Sequence, residues 1–123
     1  MSEAASGSYV SGCLFCRIVS GEVPGEVLMR TEEVVAFRDI NPQAPLHALV
    51  VPVRHIPDAA SVAPGDADVL AGMLIAARQV AEDSGLASGG YRLVMNIGQD
   101  AGNTVDHLHL HVLAGRRLAW PPG

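Results

Sequence analysis

The chain reads as a single α+β domain, a five-stranded antiparallel sheet carrying one short and one long helix on one face. Three observations lead there. Short β-prone runs recur at hairpin-like spacings, and one long amphipathic stretch separates the third run from the fourth. The last run, His107 to Val112, alternates polar and apolar residues as a half-buried strand does. With 123 residues there is material for one real core and no room for a second.

Residues 1–12 are rich in Ser, Ala and Gly, and are expected to form a flexible tail ahead of one domain over 13–123. Cys13 to Gly21 places apolar residues at 14, 15, 18 and 19, a short amphipathic helix closed by Gly21. Val27 to Arg30 and Val34 to Arg38 form a hairpin around Thr31-Glu32-Glu33. Two prolines in four residues make Asp39 to Pro45 a loop. His47 to Val53 is a mostly buried strand that stops near Pro52, where a missing N–H is tolerated. From Asp66 to Ser84 apolar residues fall at 69, 70, 73, 74, 77, 80 and 81, a helix with Asp66 in the N-cap position and Gly85 just past its end. Tyr91 to Ile97 is a fourth strand. Gly98 to Asn103 then turns the chain, either as a plain hairpin loop or as a backbone nest for an anion. The chain closes on Trp120-Pro121-Pro122-Gly123, where an exposed Trp suits a partner surface better than a monomer.

Hydrophobic content of 49% with 17% charged residues describes a compact globular chain, and aromatics at 4% leave the core to aliphatic side chains. The formal net charge is −5, every basic residue is Arg, and no basic run exceeds Arg116-Arg117, which argues against a nucleic-acid groove. No apolar run approaches the length of a membrane span. The tail lacks both the basic segment and the apolar core of a secretory signal, so the expected compartment is the cytoplasm, with Cys13 and Cys16 reduced.

On a strand, His107, His109 and His111 share one face, while Leu108, Leu110 and Val112 fill the other and pack on the core. Lining up three imidazoles serves no packing purpose. It suits nucleophilic, acid/base or metal chemistry near neutral pH.

His107-Leu108-His109-Leu110-His111-Val112-Leu113 resembles the signature of the histidine triad (HIT) superfamily of nucleotide hydrolases and transferases. Phe37 to His47, Leu49 to Pro52, Tyr91 to Asn96 and the ending Gly115 to Gly123 resemble its Hint branch. The resemblance implies a homodimer whose two sheets join into ten strands. It also implies hydrolysis of purine nucleoside 5′-phosphoramidates to a monophosphate such as AMP or GMP and an amine. By position, His109 resembles the nucleophile that becomes nucleotidylated, with His111 and His47 flanking it at the phosphate. Asp39 resembles the ribose-binding acid. Phe15, Ile18, Val23, Phe37 and Ile40 match the nucleoside pocket, Asn96, Asn103 and Thr104 the phosphate contacts, and Trp120 a further nucleotide-site position. The proton for the leaving amine comes from a flanking histidine or from the substrate itself.

Asn103 stands where that branch has Gln, Thr104 where Ser is usual, and Asp106 replaces an aromatic residue. Thr keeps the hydroxyl, whereas the shorter Asn needs a water to reach the phosphate. Asp106, facing away from the histidines, is expected in a surface salt bridge. Cys13-x-x-Cys16 is similar to the pair that, in bacterial HIT proteins, joins two histidines on a structural zinc. The matching residues here are Cys13, Cys16, His55 and His107. The competing readings are two buried thiols or, less well, a redox pair. A catalytic metal on His107, His109 and His111 is disfavoured, because the three span roughly 13 Å of strand. A zinc-stabilised adaptor without catalysis is the other rival.

Overall fold

The computed structural model describes residues 9–123, so most of the expected tail lies outside the described residues. The elements are α1 (Leu14–Ser20), β1 (Val27–Arg30), β2 (Val34–Arg38), β3 (Leu46–Pro52), α2 (Ala67–Asp83), β4 (Tyr91–Val94) and β5 (Leu110–Ala114). Single 3₁₀ turns flank α2 at Ala59–Ser61, Pro64–Asp66 and Ala87–Gly89. The sheet is antiparallel throughout, in the order β1-β2-β3-β5-β4. Five strands, a short helix and a long one are the expected inventory.

The helices do not share a face. Val34, Ala36, Ala48, Val50, Leu110 and Val112 pack with Val69, Met73, Ala77 and Val80 of α2. Val35, Phe37, Leu49 and Val51 pack with Cys13, Phe15, Cys16 and Val19 of α1. The reason is legible in β3, where all seven residues are buried. A strand that is apolar on both sides needs cover on both. The expectation of helices on one face is corrected accordingly.

Three further expectations shift. β4 ends at Val94, three residues short of Ile97. Asp66 does precede α2, but its carboxylate reaches backwards, accepting from the Ala63 amide at 2.9 Å and from Arg54, so it caps the preceding turn rather than the helix. Most consequentially, β5 begins at Leu110, opposite Val50, so His107 to His109 lie outside the strand. Continuing the ladder would place Leu108 opposite Pro52, which has no N–H to give. The segment finds other partners: Leu108 N–H donates to the Ile56 carbonyl at 2.7 Å, and the His107 ring bonds the Pro52 carbonyl. The alternation of the apolar side survives, with Leu108, Leu110 and Val112 all buried.

At the far end of β5, Gly115 adopts φ +97 and passes so close to the loop after β2 that an added Cβ would stand 2.8 Å from Pro45 Cβ. Only glycine fits both demands. The last turn of the chain is thereby laid against the Asp39–Pro45 loop.

Candidate functional site

β2, β3 and β5 put Phe37, His47, Leu49 and His111 on the α1 side of the sheet, and the irregular segment before β5 adds His107 and His109. α1 closes one side with Phe15, whose ring meets Phe37 at 5.5 Å, His109 at 5.0 Å and His107 at 6.0 Å between centroids, all edge-on. Beside these rings lies a cleft of about 320 Å³. Phe15, Ile18, Val23, Phe37, Asp39, Ile40, Thr104, His109 and His111 line it, nine of the positions expected from the sequence. Asn96, Asn103 and Trp120 do not, and Trp120 is 82% exposed. Leu49 and Val105 also line it and were missed. Leu49 could have been found, since it shares a strand face with His47.

The five histidines sort into two groups by what their ring nitrogens meet. A carbonyl oxygen only accepts, so a ring nitrogen bonded to one must carry the proton. His109 Nδ1–H therefore donates to the His107 carbonyl at 2.7 Å, leaving the Nε2 lone pair free on the opposite edge of the ring. A backbone amide only donates. Gln43 N–H donates to His47 Nδ1 at 3.0 Å, so neutral His47 carries its proton on Nε2, which lies 2.9 Å from His111 Nδ1 and 3.4 Å from Asp39 Oδ2. His111 then holds its own proton on Nε2. Burial pushes the His111 pKa down to about 4, with His109 and His47 adding to the effect and Asp39 opposing it. Burial likewise lowers His47, against the pull of Asp39. Both are neutral imidazoles at pH 7.

Asp39, His47 and His111 converge closely enough to suggest a cation site. The Gln43 amide argues otherwise. With Nδ1 accepting, His47 Nε2 holds a proton and has no lone pair for a metal. The trio is a hydrogen-bonded relay, its outer edge fixed by Arg116, whose Nε–H donates to the Gln43 carbonyl at 2.9 Å.

The second group is different in chemistry. Cys13, Cys16, His55 and His107 are all buried, with their ligand atoms within 4.8 Å of one another. His107 Nε2–H donates to the Pro52 carbonyl at 2.9 Å, which turns the Nδ1 lone pair toward Cys13 Sγ at 3.2 Å and Cys16 Sγ at 3.5 Å. His55 Nδ1 lies 3.5 Å from Cys16 Sγ. Tetrahedral zinc, with its usual S and N bond lengths, needs sulfur-to-nitrogen edges of about 3.6 Å, so the four donors fit that ion in size, number and type. Cys13 Sγ also accepts the Cys16 amide at 3.3 Å as α1 begins. Burial drives His107 down to about 4, keeping it neutral as a ligand must be, and pushes the Cys16 thiol up to about 11. The alternative of a single metal on all three triad histidines fails, because His109 Nδ1–H is held by a carbonyl and His107 points its lone pair at sulfur.

Asp106 enters no ion pair among the described residues. Its Oδ1 lies 3.5 Å from Asn103 Nδ2, and its charge opposes the burial that lowers His55. The expected salt bridge is corrected: Asp106 is tied back to its own turn, and Asn103 Oδ1 is left buried without a partner.

The model of the HIT domain family matches residues 20–118. A HIT-like protein of Synechocystis is 41% identical over 110 residues, spanning 89% of this chain and 96% of that protein. A HIT family hydrolase from Legionella pneumophila is 47% identical, with a TM-score of 0.88 over 90% of this chain and 99% of its own. Another, from Clostridium thermocellum, is 42% identical with a TM-score of 0.87, covering 89% and 96%. A matched domain of this extent, together with relatives of more than 40% identity that share the fold, makes this chain a member of the HIT domain family.

Proposed function

We propose that the chain is a nucleotide hydrolase of the Hint type. It cleaves the P–N bond of purine nucleoside 5′-phosphoramidates and releases AMP or GMP and an amine. The observation that carries this reading is His109, its Nδ1–H tied to the His107 carbonyl and its free Nε2 on a ring that lines the cleft. The membership of two HIT family hydrolases among its structural relatives supports hydrolysis as the reaction class.

In the proposed reaction His109 Nε2 attacks phosphorus and forms a P–N bond as the bond to the leaving nitrogen breaks. His111 Nε2–H gives that nitrogen its proton, and His47 Nε2–H, on the far side of the ring, supports the change of charge. Water then attacks phosphorus, returns a proton to His111 and frees His109 with the nucleotide. Asp39, its Oδ1 oriented by the Asn41 amide at 2.8 Å, takes a ribose hydroxyl. Ile18, Val23 and Ile40 form an apolar slot for the base. Ile40, 97% exposed in the cleft wall, gains cover when the slot fills. Thr104 offers its hydroxyl to the phosphate, while Asn96 and Asn103, set back from the cleft, reach it through water.

Cys13, Cys16, His55 and His107 would hold one structural zinc per chain. When bound, the ion ties α1 to the segment before β5 and contributes to folding. A homodimer is supported by the exposed edge strand β4 and by the apolar residues Leu93, Ile97, Leu74, Ile75 and Trp120 left in water. Among the described residues no helix is long and apolar enough to cross a membrane.

The deciding assay offers adenosine 5′-phosphoramidate to the purified protein, beside a dinucleoside polyphosphate and an acyl-adenylate. Turnover of the phosphoramidate that vanishes in His109→Ala supports the proposal. Residual turnover in that variant at the wild-type rate overturns it, and faster turnover of either rival substrate transfers the activity to that class.

A further inference from the structure

His107 belongs to both groups of histidines at once. Its side chain, fully buried, points Nδ1 at the two sulfurs, while its backbone carbonyl receives the His109 Nδ1–H. The carbonyl bond selects the tautomer that leaves Nε2 free, so whatever fixes the His107 peptide fixes the reactive form of His109.

That peptide has little else to hold it. Sheet pairing starts at Leu110, and between His107 and His109 the backbone makes one bond to the rest of the protein, from Leu108 N–H to Ile56 O. A second link runs through α1. Phe15 sits between Cys13 and Cys16, and its ring touches both His107 and His109 and forms part of the cleft wall. Pinning the two sulfurs to His107 therefore fixes the ring that shapes the cleft and the carbonyl that aims the nucleophile.

We propose that the Cys13-Cys16-His55-His107 cluster is a positioning device for the cleft as well as a fold stabiliser, with His107 as the positioning residue that transmits metal occupancy to His109. The inference rests on the reading of His109 as nucleophile and of the cluster as a zinc site. Ligation through His107 Nδ1 leaves its Nε2–H on the Pro52 carbonyl, so the metal and the orienting bond are compatible. With the cluster loaded, His109 keeps one tautomer and Phe15 one place. Without the metal, thiol and imidazole retain only weak hydrogen bonds, the His107 peptide turns, and His109 Nδ1–H loses its fixed acceptor.

The test compares zinc-loaded protein with protein stripped by a chelator under reducing conditions, alongside His55→Ala and His55→Cys. His55 is the ligand that contacts neither Phe15 nor the His109 carbonyl bond, and His55→Cys leaves a Cys₃His set that also suits zinc. Three quantities are read: the slowly exchanging Nδ1–H resonance of His109 by NMR, the affinity for AMP, and the amide protection of the sheet. In loaded wild type and His55→Cys a single His109 Nδ1–H signal is expected. In stripped wild type and His55→Ala that signal should broaden or vanish and AMP affinity fall about tenfold, while the sheet amides stay protected. An unchanged His109 signal in metal-free protein with an intact sheet overturns the proposal. Loss of the sheet amides together with the signal also overturns it, because the cluster would then hold the fold and nothing more specific. The resonance and AMP binding need no turnover, so failure of the phosphoramidase reading would show in the assay and leave this result separate.

Discussion

Two histidine groups lie on the same face of one sheet and behave as opposites. His107 turns a lone pair toward sulfur, with His55 Nδ1 3.5 Å from Cys16 Sγ beside it, whereas His47 turns an N–H toward His111 Nδ1 and His111 leaves its own N–H free for the cleft. Residue type and burial do not separate them, since His47, His55 and His107 are all below one tenth exposed. What separates them is the backbone atom at the other ring nitrogen. A carbonyl at His107 Nε2 makes Nδ1 a ligand, and an amide at His47 Nδ1 makes Nε2 a donor. The tautomers of His47 and His107 are thus set by main-chain groups on the far side of each ring.

The sharpest way to break that division is to remove the nucleophile proposed for the cleft group. His109→Ala should lower the rate of phosphoramidate turnover by at least about a thousandfold, because no other ring offers a free lone pair at that place. AMP binding and zinc content, measured by calorimetry and elemental analysis, should stay near wild type. Loss of zinc in this variant would show that the two groups are one. Cys16→Ser attacks the other side. Zinc should fall from one per chain to none, and the melting temperature should become insensitive to chelator, whereas that of the wild type drops on chelation. A serine variant that keeps its metal and its chelator response would remove Cys16 from the ligand set.

Much of the fold was legible before any coordinates. The 3.6-residue spacing from Val69 to Ala81 specified α2, and β1 and β2 occupy the runs expected for them residue for residue. The division of the triad into one ligand, one nucleophile and one phosphate contact came from resemblance and remains part of the proposal, while the structure gives each ring a different partner. Periodicity failed where partners distant in sequence decide. The strand across His107 to His109 is lost to a missing amide at Pro52, 55 positions from His107 in the chain. That Asp66 caps a turn behind it rather than the helix ahead follows from Arg54 and Ala63, which no local pattern announces. Tautomers were beyond reach for the same reason: they are written by the carbonyls of Pro52 and His107 and the amide of Gln43.

The cleft group should also leave a mark on stability. The His111 pKa is depressed to about 4 from the usual 6.5, so between those values the unfolded chain binds a proton that the folded protein refuses. Stability therefore rises with pH through that window, is fully present above 6.5, and is lost as pH falls toward 4. Urea melts of zinc-loaded protein at pH 5 and pH 7 should show wild type weaker at the lower value. His111→Asn should flatten part of the difference, with His47, lowered in the same direction, supplying some of the remainder. An equal pH slope in the variant would mean that His111 is protonated in the fold and could not donate through a neutral relay.

The smallest effect tests whether the outer main-chain contact matters as much as the comparison implies. Arg116 touches no ring; it holds the Gln43 carbonyl, and Gln43 in turn gives its amide to His47. Gly115 keeps the two segments close enough for that contact, so Arg116→Met should leave the loop in place but less tightly ordered. An exposed charged hydrogen bond of this kind contributes about 0.5–1 kcal/mol, which corresponds to a two- to fivefold fall in kcat. KM should stay constant, since Arg116 does not line the cleft. Arg116→Lys should recover part of the loss by keeping a donor for the carbonyl. The nitrogen chemical shifts of His47 give the independent reading: in Arg116→Met the proton should begin to populate Nδ1 as the Gln43 amide loosens. If kcat falls while His47 keeps its tautomer, the arginine acts on the substrate's charge, and the main-chain control inferred for His47 is wrong at its outermost link.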